Sequence, residues 1–269
     1  MTPDELEERI AEFTQWNYRF DFEGGVTTPV PDSRMINRQE QRRRYFFDAL
    51  LGLYGGSLEG KRVLDLGCSA GFWALQAIEA GAEFVLGIDN QDTFIDQASL
   101  VFEAKGIDPS RYRFERNDIF ASRPRERFDV VLCLAVMNQV SQPVELFELM
   151  SQTGAELVLV ETELARSSSS VFALSTRGDG RKAEDTTIVL VPSRSAVSEL
   201  AAEFGYRAVA LARNMTDYTG LKDYATQRRL AFFCSKGPSL AAIPEEESSI
   251  VPWWLAPLDP RPRLRARRG

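Results

Sequence analysis

The apolar positions of the chain change rhythm near residue 61. Before that point they recur at helical spacing. Residues 2–15 predict a helix, with Thr2 before Pro3 and Glu5 three residues after Thr2 in a capping-box arrangement. Residues 38–54 predict a second helix with a basic start, stopped by Gly55-Gly56. Between them, residues 16–35 are irregular and carry Trp16, Tyr18, Phe20 and Phe22 at alternate positions. Beyond residue 61, short apolar runs alternate with helical patterns. Strands are predicted over 62–67, 83–89, 112–118, 127–136, 155–162, 207–214 and 229–236, and helices over 72–81, 91–106, 143–154 and 192–206. Such alternation predicts an α/β fold: a doubly wound, Rossmann-like sheet of seven mostly parallel strands with helices on both faces. The polar stretch 164–186 predicts a loop inserted after the fifth strand. From residue 238, proline and charge predict an extended tail. The division is therefore an N-terminal helical and aromatic segment (1–57), a central domain (58–237) and a tail (238–269).

Composition narrows the classes. The net charge of −7 argues against a surface built to hold long nucleic acid. Cys68, Cys133 and Cys234 lie in apolar stretches, no C-x-x-C occurs and the chain has no histidine, so no metal is expected. No apolar run reaches transmembrane length and no charged-then-apolar leader is visible. The expectation is a cytoplasmic, reduced protein that does not meet a membrane. Trp253-Trp254 in the tail is expected to dock on the domain or on a second copy, giving a possible homodimer.

Chemistry concentrates in "VLDLGCSAGFWAL", Val63 to Leu75. A strand, a glycine turn and a helix in this order bring backbone N–H groups to a ligand. A dinucleotide site asks for G-x-G-x-x-G, but Gly67 is followed by Ser69 and Phe72 at the second and third positions. Asp65 before the turn would repel a pyrophosphate and suits a ligand with a cationic end, such as S-adenosylmethionine (SAM), with its amine and sulfonium. Asp89 ends the second predicted strand, where an acid accepts both ribose hydroxyl hydrogens. Asp118 ends the third; taken alone it reads equally well as a helix cap.

The ordered set Asp65, Gly67, Gly71, Asp89 and Asp118 resembles the cofactor motifs of class I SAM-dependent methyltransferases. "LEGKRVLDLGCSAGFWALQAIEAGAEFVLGID", with "GGVTT", "LVPSRSAVSELAAEFGY" and "TQRRLAFF", resembles more narrowly the tRNA wobble-uridine carboxymethyl-transferring enzymes and their small-molecule and sugar methyltransferase relatives. The resemblance covers residues 15–237. It implies a seventh strand inserted antiparallel, and a SAM site of Asp65, Gly67, Cys68, Ser69, Gly71, Asp89, Asn90, Asp118, Ile119 and Leu134, with S-adenosylhomocysteine (SAH) as product. Asp118 and Ile119 would face the adenine. Two departures matter. Asn138-Gln139 stands where the group shows an aromatic-His pair, and Thr226 where it shows Glu in E-Q-R. In the tRNA enzymes that neighbourhood helps hold a carboxylated SAM, so the loss favours ordinary SAM. The expected acceptor is a small molecule, a sugar or natural-product hydroxyl. The alternatives are tRNA and a catalytically inert SAM-binding module.

Methyl transfer needs alignment above all, and a hydroxyl acceptor also benefits from a base. Without histidine, Glu161 at the end of the fifth predicted strand is the expected base, with a loop or cap salt bridge as the competing reading. Asn138 and Gln139 are expected to orient the acceptor by hydrogen bonds. Tyr18, Arg44, Glu163 and Arg228 are further substrate candidates. Tyr18 reads as part of a lid over SAM or of a segment packed on the core. Arg42-Arg43-Arg44 reads as a solvated helix face or as a contact for an acidic substrate.

Overall fold

The computed structural model describes residues 1–122, 126–177 and 187–247. Its centre is a seven-stranded sheet in the order β3-β2-β1-β4-β5-β9-β8. The parallel strands are β1 (Arg62–Leu66), β2 (Phe84–Asp89), β3 (Tyr112–Arg116), β4 (Val130–Leu134) and β5 (Leu157–Glu163). The last strand, β9 (Arg229–Ser235), runs antiparallel between β5 and β8 (Arg207–Ala210). The order reverses between β1 and β4, and open α/β sheets bind ligands outside the carboxyl ends of the strands at such a point.

Strand parity sorts the side chains into two layers. Val63, Leu132, Leu134, Leu157, Leu159, Ala231 and Phe233 face one core, shared with α1 (Pro3–Ala11), α3 (Asp48–Leu53), α4 (Phe72–Glu79) and α5 (Asp92–Ala104). Leu64, Leu66, Val131, Cys133, Val158 and Val160 face the other, with α7 (Pro143–Gln152) and α8 (Arg194–Glu203). Asp65, Glu161 and Glu163 share the parity of the first layer. At the strands' C-terminal edge, Glu161 thus reaches Arg42 of the N-terminal helices, while Glu163, at the very end of β5, pairs with Arg177 and Arg228.

Three details differ from the sequence reading. The second helix starts earlier, as α2 (Ser33–Arg42) capped by Asp32, and runs through a π-helical turn at Arg43–Phe47 into α3. The expected 164–186 loop contains part of an antiparallel hairpin, β6 (Phe172–Arg177) with β7 (Thr187–Pro192), and residues 178–186 lie outside the described residues. Its exposure alternates only in part, and its serines and charges obscured the strand signal. The tail does not begin at 238: Leu240 and Ile243 are buried and Glu245 bridges to Leu211. The expected docking of Trp253-Trp254 falls outside the described residues.

The N-terminal segment belongs to the core. Trp16 is fully buried, with its Nε1–H donated to the Ile10 carbonyl at 3.3 Å. Thr28 Oγ1 accepts from Phe20 N at 2.9 Å and donates to the Tyr18 carbonyl at 2.8 Å. Gln97 Nε2, from α5, donates to the Gln15 carbonyl at 2.7 Å. A lid that opens as a body would break these bonds together. Trp16→Ala is therefore expected to destabilise the whole domain by about 3–5 kcal/mol in urea unfolding, as a cavity in a shared core does. An unchanged global midpoint would mean that the segment folds independently.

Candidate active site

The turn after β1 is shaped by three left-handed residues, Gly67 (φ 66°), Ser69 (φ 49°) and Gly71 (φ 77°). The two glycines are required by packing as well. A Cβ on Gly67 would stand 2.7 Å from Val136 Cγ2, and one on Gly71 would stand 3.0 Å from Ala98 Cβ. Cys68, expected in the cofactor site, points its thiol inward instead, 3.0 Å from where a Gly87 Cβ would lie. Only its backbone remains at the turn, where Gly71 N donates to the Cys68 carbonyl at 2.9 Å.

Two acids face this turn in opposite states of satisfaction. Asp89, at the end of β2, accepts from Ser69 N at 3.0 Å and from Gln91 N at 3.1 Å. Asp65 is buried, and its Oδ2 has no hydrogen-bond partner; Ser69 Oγ is likewise buried and unpartnered. Burial, then the charge of Asp89, pushes the Asp65 carboxyl up to about 8, against the pull of the Ala74 N–H. Orphaned buried acceptors are rare in finished interiors. A carboxyl and a hydroxyl left open at a glycine turn fit a ligand that brings a cation and hydrogen-bonding groups, as the amino-acid end of SAM does.

The remaining expected cofactor positions line the same edge. Asn90 is exposed after β2. Asp118 is exposed and its Oδ1 accepts from Phe120 N at 2.8 Å, capping the short helix α6 (Ile119–Ser122), while Ile119 is half-buried. Leu134 ends β4, and the next residue, Ala135, has a φ of 62°.

Glu161 corrects its expected role. It is fully buried, and its Oε2 accepts from Arg42 Nη2 at 3.2 Å and Arg229 Nη1 at 3.1 Å, while its Oε1 accepts from the Tyr224 hydroxyl. Burial pushes the carboxyl up, but Arg229, Arg42 and the Tyr224 hydrogen bond outweigh it and hold Glu161 below the usual carboxylate range. A carboxylate so held is a poor proton acceptor. Asn138 is also committed: its Oδ1 accepts from Glu163 N at 3.4 Å and Thr162 Oγ1 at 3.5 Å. Gln139 is exposed and its Nε2 donates to the Ala135 carbonyl.

The substrate candidates divide. Tyr18 stacks on Phe72 at 5.0 Å and its hydroxyl accepts from Trp73 Nε1 at 3.3 Å, beside the turn. Glu163 and Arg228 pair with each other at 2.7 Å, and Glu163 also pairs with Arg177 of the hairpin, so neither waits for an anion or cation of the substrate. Arg44 is exposed, on the solvent side of the π turn. Arg42 is the member of its triplet that turns inward, under Phe46 and Trp73. Tyr224 and Arg229 escaped the sequence reading, and Arg42 is buried where a solvated face was one expectation. The signal for Arg42 was its place one helical turn before the apolar pair Tyr45-Phe46.

Glu161→Gln leaves two buried guanidinium groups without their shared anion. The expected result is a loss of about 3–5 kcal/mol of stability in denaturant unfolding. The sign with pH follows from the lowered pKa. The stabilisation by Glu161 is full above the ordinary carboxylate range and is lost as pH falls through its lower, folded-state value. The stability gap between wild type and variant, read by denaturant unfolding at a series of pH values, should therefore be full at neutral pH and shrink as pH falls below the ordinary carboxylate range.

Residues 57–175 match the family model described as a methyltransferase domain. A tRNA U34 carboxymethyltransferase of Idiomarina loihiensis is 26% identical over 208 residues, 75% of this chain and 61% of that protein. A ubiquinone biosynthesis O-methyltransferase of Neisseria meningitidis serogroup C is 36% identical over 86 residues, 32% of this chain and 36% of that protein. The chain thus spans under two thirds of the length of either relative. Among solved structures, the N-terminal domain of EvdMO1, determined in the presence of SAH and D-fucose, superposes with a TM-score of 0.64 at 17% identity, covering 89% of this chain and 98% of that one. A putative SAM-dependent methyltransferase from Listeria monocytogenes gives 0.55 at 13% identity, covering 69% and 97%. Residues 57–175 are thus similar to a methyltransferase domain, and the strand order with its antiparallel β9 is the fold shared with these solved SAM-dependent methyltransferases.

Proposed function

We propose that the protein transfers a methyl group from SAM to a small-molecule acceptor, a sugar or other hydroxyl-bearing compound. The observation that carries the cofactor half is the open carboxyl of Asp65 beside the open hydroxyl of Ser69. In this reading Asp65 meets the ammonium of the amino-acid end, and Gly67, Ser69 and Gly71 shape the turn around it. Asp89 and Asn90 hold the ribose, and Asp118, Ile119 and Leu134 border the adenine. A bound sulfonium supplies a methyl group already activated for displacement. The chain's own task is then to align the acceptor and exclude water, which is worth up to ~7–11 kcal/mol of barrier. With Glu161 held as an ion-pair anchor, the proposal assigns no carboxylate base, and suits an acceptor that gives up its proton readily.

The acceptor half is supported by charge. Arginines around the strand ends are matched by carboxylates: Arg38 by Asp223, Arg42 and Arg229 by Glu161, Arg177 and Arg228 by Glu163, Arg213 by Glu246. Paired arginines offer little to a phosphate backbone, whose binding rests on free cations. The net charge of −7 points the same way. The N-terminal domain of EvdMO1, whose structure was determined in the presence of SAH and D-fucose, shares the fold and lends the sugar class a precedent. A second reading, tRNA modification, is favoured by the match to the U34 carboxymethyltransferase over 75% of this chain. Ordinary SAM is preferred over its carboxylated form because Asn138-Gln139 replaces the aromatic-His pair. Among the described residues no helix is long and apolar enough to cross a membrane, and the three buried free cysteines suit the proposed cytoplasmic setting.

Three outcomes are expected. Calorimetry should detect SAM and SAH binding below millimolar concentration. At pH 7 the free site holds a proton on Asp65, and an ammonium favours the carboxylate. Binding should therefore release up to about one proton, seen by comparing buffers of different ionisation enthalpy, and this term should strengthen affinity as pH rises toward 8. Asp65→Asn should abolish the release and weaken binding; unchanged proton release would remove Asp65 from the site. Labelled SAM with a panel of sugars and phenols should give methylated small molecules, with no carboxylate-like limb in kcat/KM above pH 5. Tight, salt-dependent retention of bulk tRNA, with label transferred to it, would reverse the ranking of acceptors.

A further inference from the structure

The antiparallel hairpin β6–β7 turns one face to the domain and leaves the other open. Its register sets Phe172, Leu174 and Thr176 opposite Pro192, Leu190 and Ile188, so these six side chains share a face. The alternate positions look inward: Val189 and Val191 are buried, and Arg177 pairs with Glu163 at the end of β5. At the root of the open face, Phe172 packs against the core layer of α7 and α8. Further along it, Leu174 is 71% and Ile188 54% exposed. With Val171, just before β6, they make three of the six large apolar side chains exposed among the described residues. Single apolar residues on a surface are ordinary, but a group of them on one two-stranded element marks a contact.

The chain itself supplies a matching segment. Its last described residues leave the domain at the root of the hairpin. There Arg194, two residues beyond Pro192, pairs with Glu245 at 3.6 Å and donates to the Glu246 carbonyl. Glu247 follows, exposed. Residues 250–258 then read "IVPWWLAPL", apolar throughout, with Trp253 six residues past Glu247. Six residues span roughly 20 Å at full extension, and a strand of six residues is roughly 20 Å long, so the tryptophans can reach any point on the open face. Charge favours the same partner. Beyond Leu258 five arginines stand against Asp259 in a chain of net charge −7, so the residues before this segment carry all of the acidic excess. Glu145 and Glu148 of α7 and Glu199 and Glu203 of α8 are exposed on that side, where α8 packs on β7 and α7 on α8. We infer that residues 250–258 of the same chain cover the hairpin face of Leu174 and Ile188, with Trp253 and Trp254 as the anchors. Paired indoles carry large contact area at little entropic cost, which suits them to that task. A tether this short presents the segment at roughly millimolar effective concentration, above what a second copy reaches in micromolar solution. The contact makes no use of the cofactor or the acceptor.

Chymotrypsin cleavage after Trp253 and Trp254, followed by mass spectrometry, tests this on the full chain. Wild type is compared with the double variant Leu174→Glu, Ile188→Glu, whose two positions lie outside the core. The wild type should be protected and the variant cleaved at least about tenfold faster, because proteolysis tracks the population of the open form. Acrylamide quenching should agree. Trp16 and Trp73 are buried in the domain, so the variant should expose half of the chain's four tryptophans and the wild type none. The reciprocal variant, Trp253→Ala with Trp254→Ala, leaves every described residue unchanged. It should speed hydrogen exchange in peptides covering 171–177 and 187–192 and leave the rest of the domain at its wild-type rate. Sedimentation velocity should give the same oligomeric state for all three proteins. Wild-type cleavage as fast as that of the Leu174→Glu, Ile188→Glu variant overturns the inference. So does protection that survives those two substitutions, which places the segment elsewhere. A wild-type dimer that either variant dissociates gives the face to a second copy and overturns it as well.

Discussion

One buried carboxylate organises this protein. Glu161 joins parts of the chain far apart in sequence: Arg42 on the N-terminal helix, Glu161 on β5, Tyr224 on the helix α9 (Lys222–Ala225), and Arg229 at the start of β9. None of these groups is stable in the core alone, because an unpaired buried charge is expensive and breaking such a pair leaves its partner stranded. Together they fix the angle at which the N-terminal helix crosses the sheet. The aromatic layer built on that helix follows from the same constraint: Tyr45 hydrogen-bonds the Leu211 carbonyl at 2.7 Å, and Phe46 and Phe47 pack on Trp73. Trp73 in turn adjoins the glycine turn, so the ion cluster and the proposed cofactor site share a wall.

The two halves of the sheet edge are prepared in opposite ways. Around Glu161 the fold has supplied partners to the carboxylate on every side. Around Asp65 it has withheld solvation and left one carboxyl oxygen without a partner, which pushes the carboxyl up. Asp89 lies between these extremes, its position set by backbone donors of Ser69 and Gln91 with its exposure largely removed. The chemistry assigned to an acid here depends on what its neighbours leave undone, more than on its being an acid at a strand end.

That explains which features were legible in the sequence. The sheet was, because wholly apolar runs such as "VVLCL" and long helical patterns have few other uses. The glycine turn was, because left-handed backbone at Gly67 and Gly71 admits few residues. Cys68 and Glu161 misled for the same reason: their place at a strand end is written in the sequence, but the direction and company of their side chains are not. The partners of Glu161 lie 119 residues before it and 68 after it. No local pattern announces so distant a cluster, although an arginine aligned with the apolar face of a helix was a clue. The hairpin β6–β7 was missed because its alternation is short and its outer face is only partly apolar.

The insertion of β9 also bears on how the chain is assembled. Synthesised from the N-terminus, β1 to β5 are complete long before Arg229–Ser235 emerges, yet β5 has its outer partner only in that strand, and β8 reaches the sheet only through it. Until then β5 is an open edge, the kind of surface that pairs with the wrong chain. Glu161 is at that moment on the same open edge and lacks Arg229. A charged group at an unpaired edge is among the devices by which natural sheets discourage edge-to-edge association. The residue that anchors the finished core thus guards its unfinished rim, and β9 converts a deterrent into a keystone.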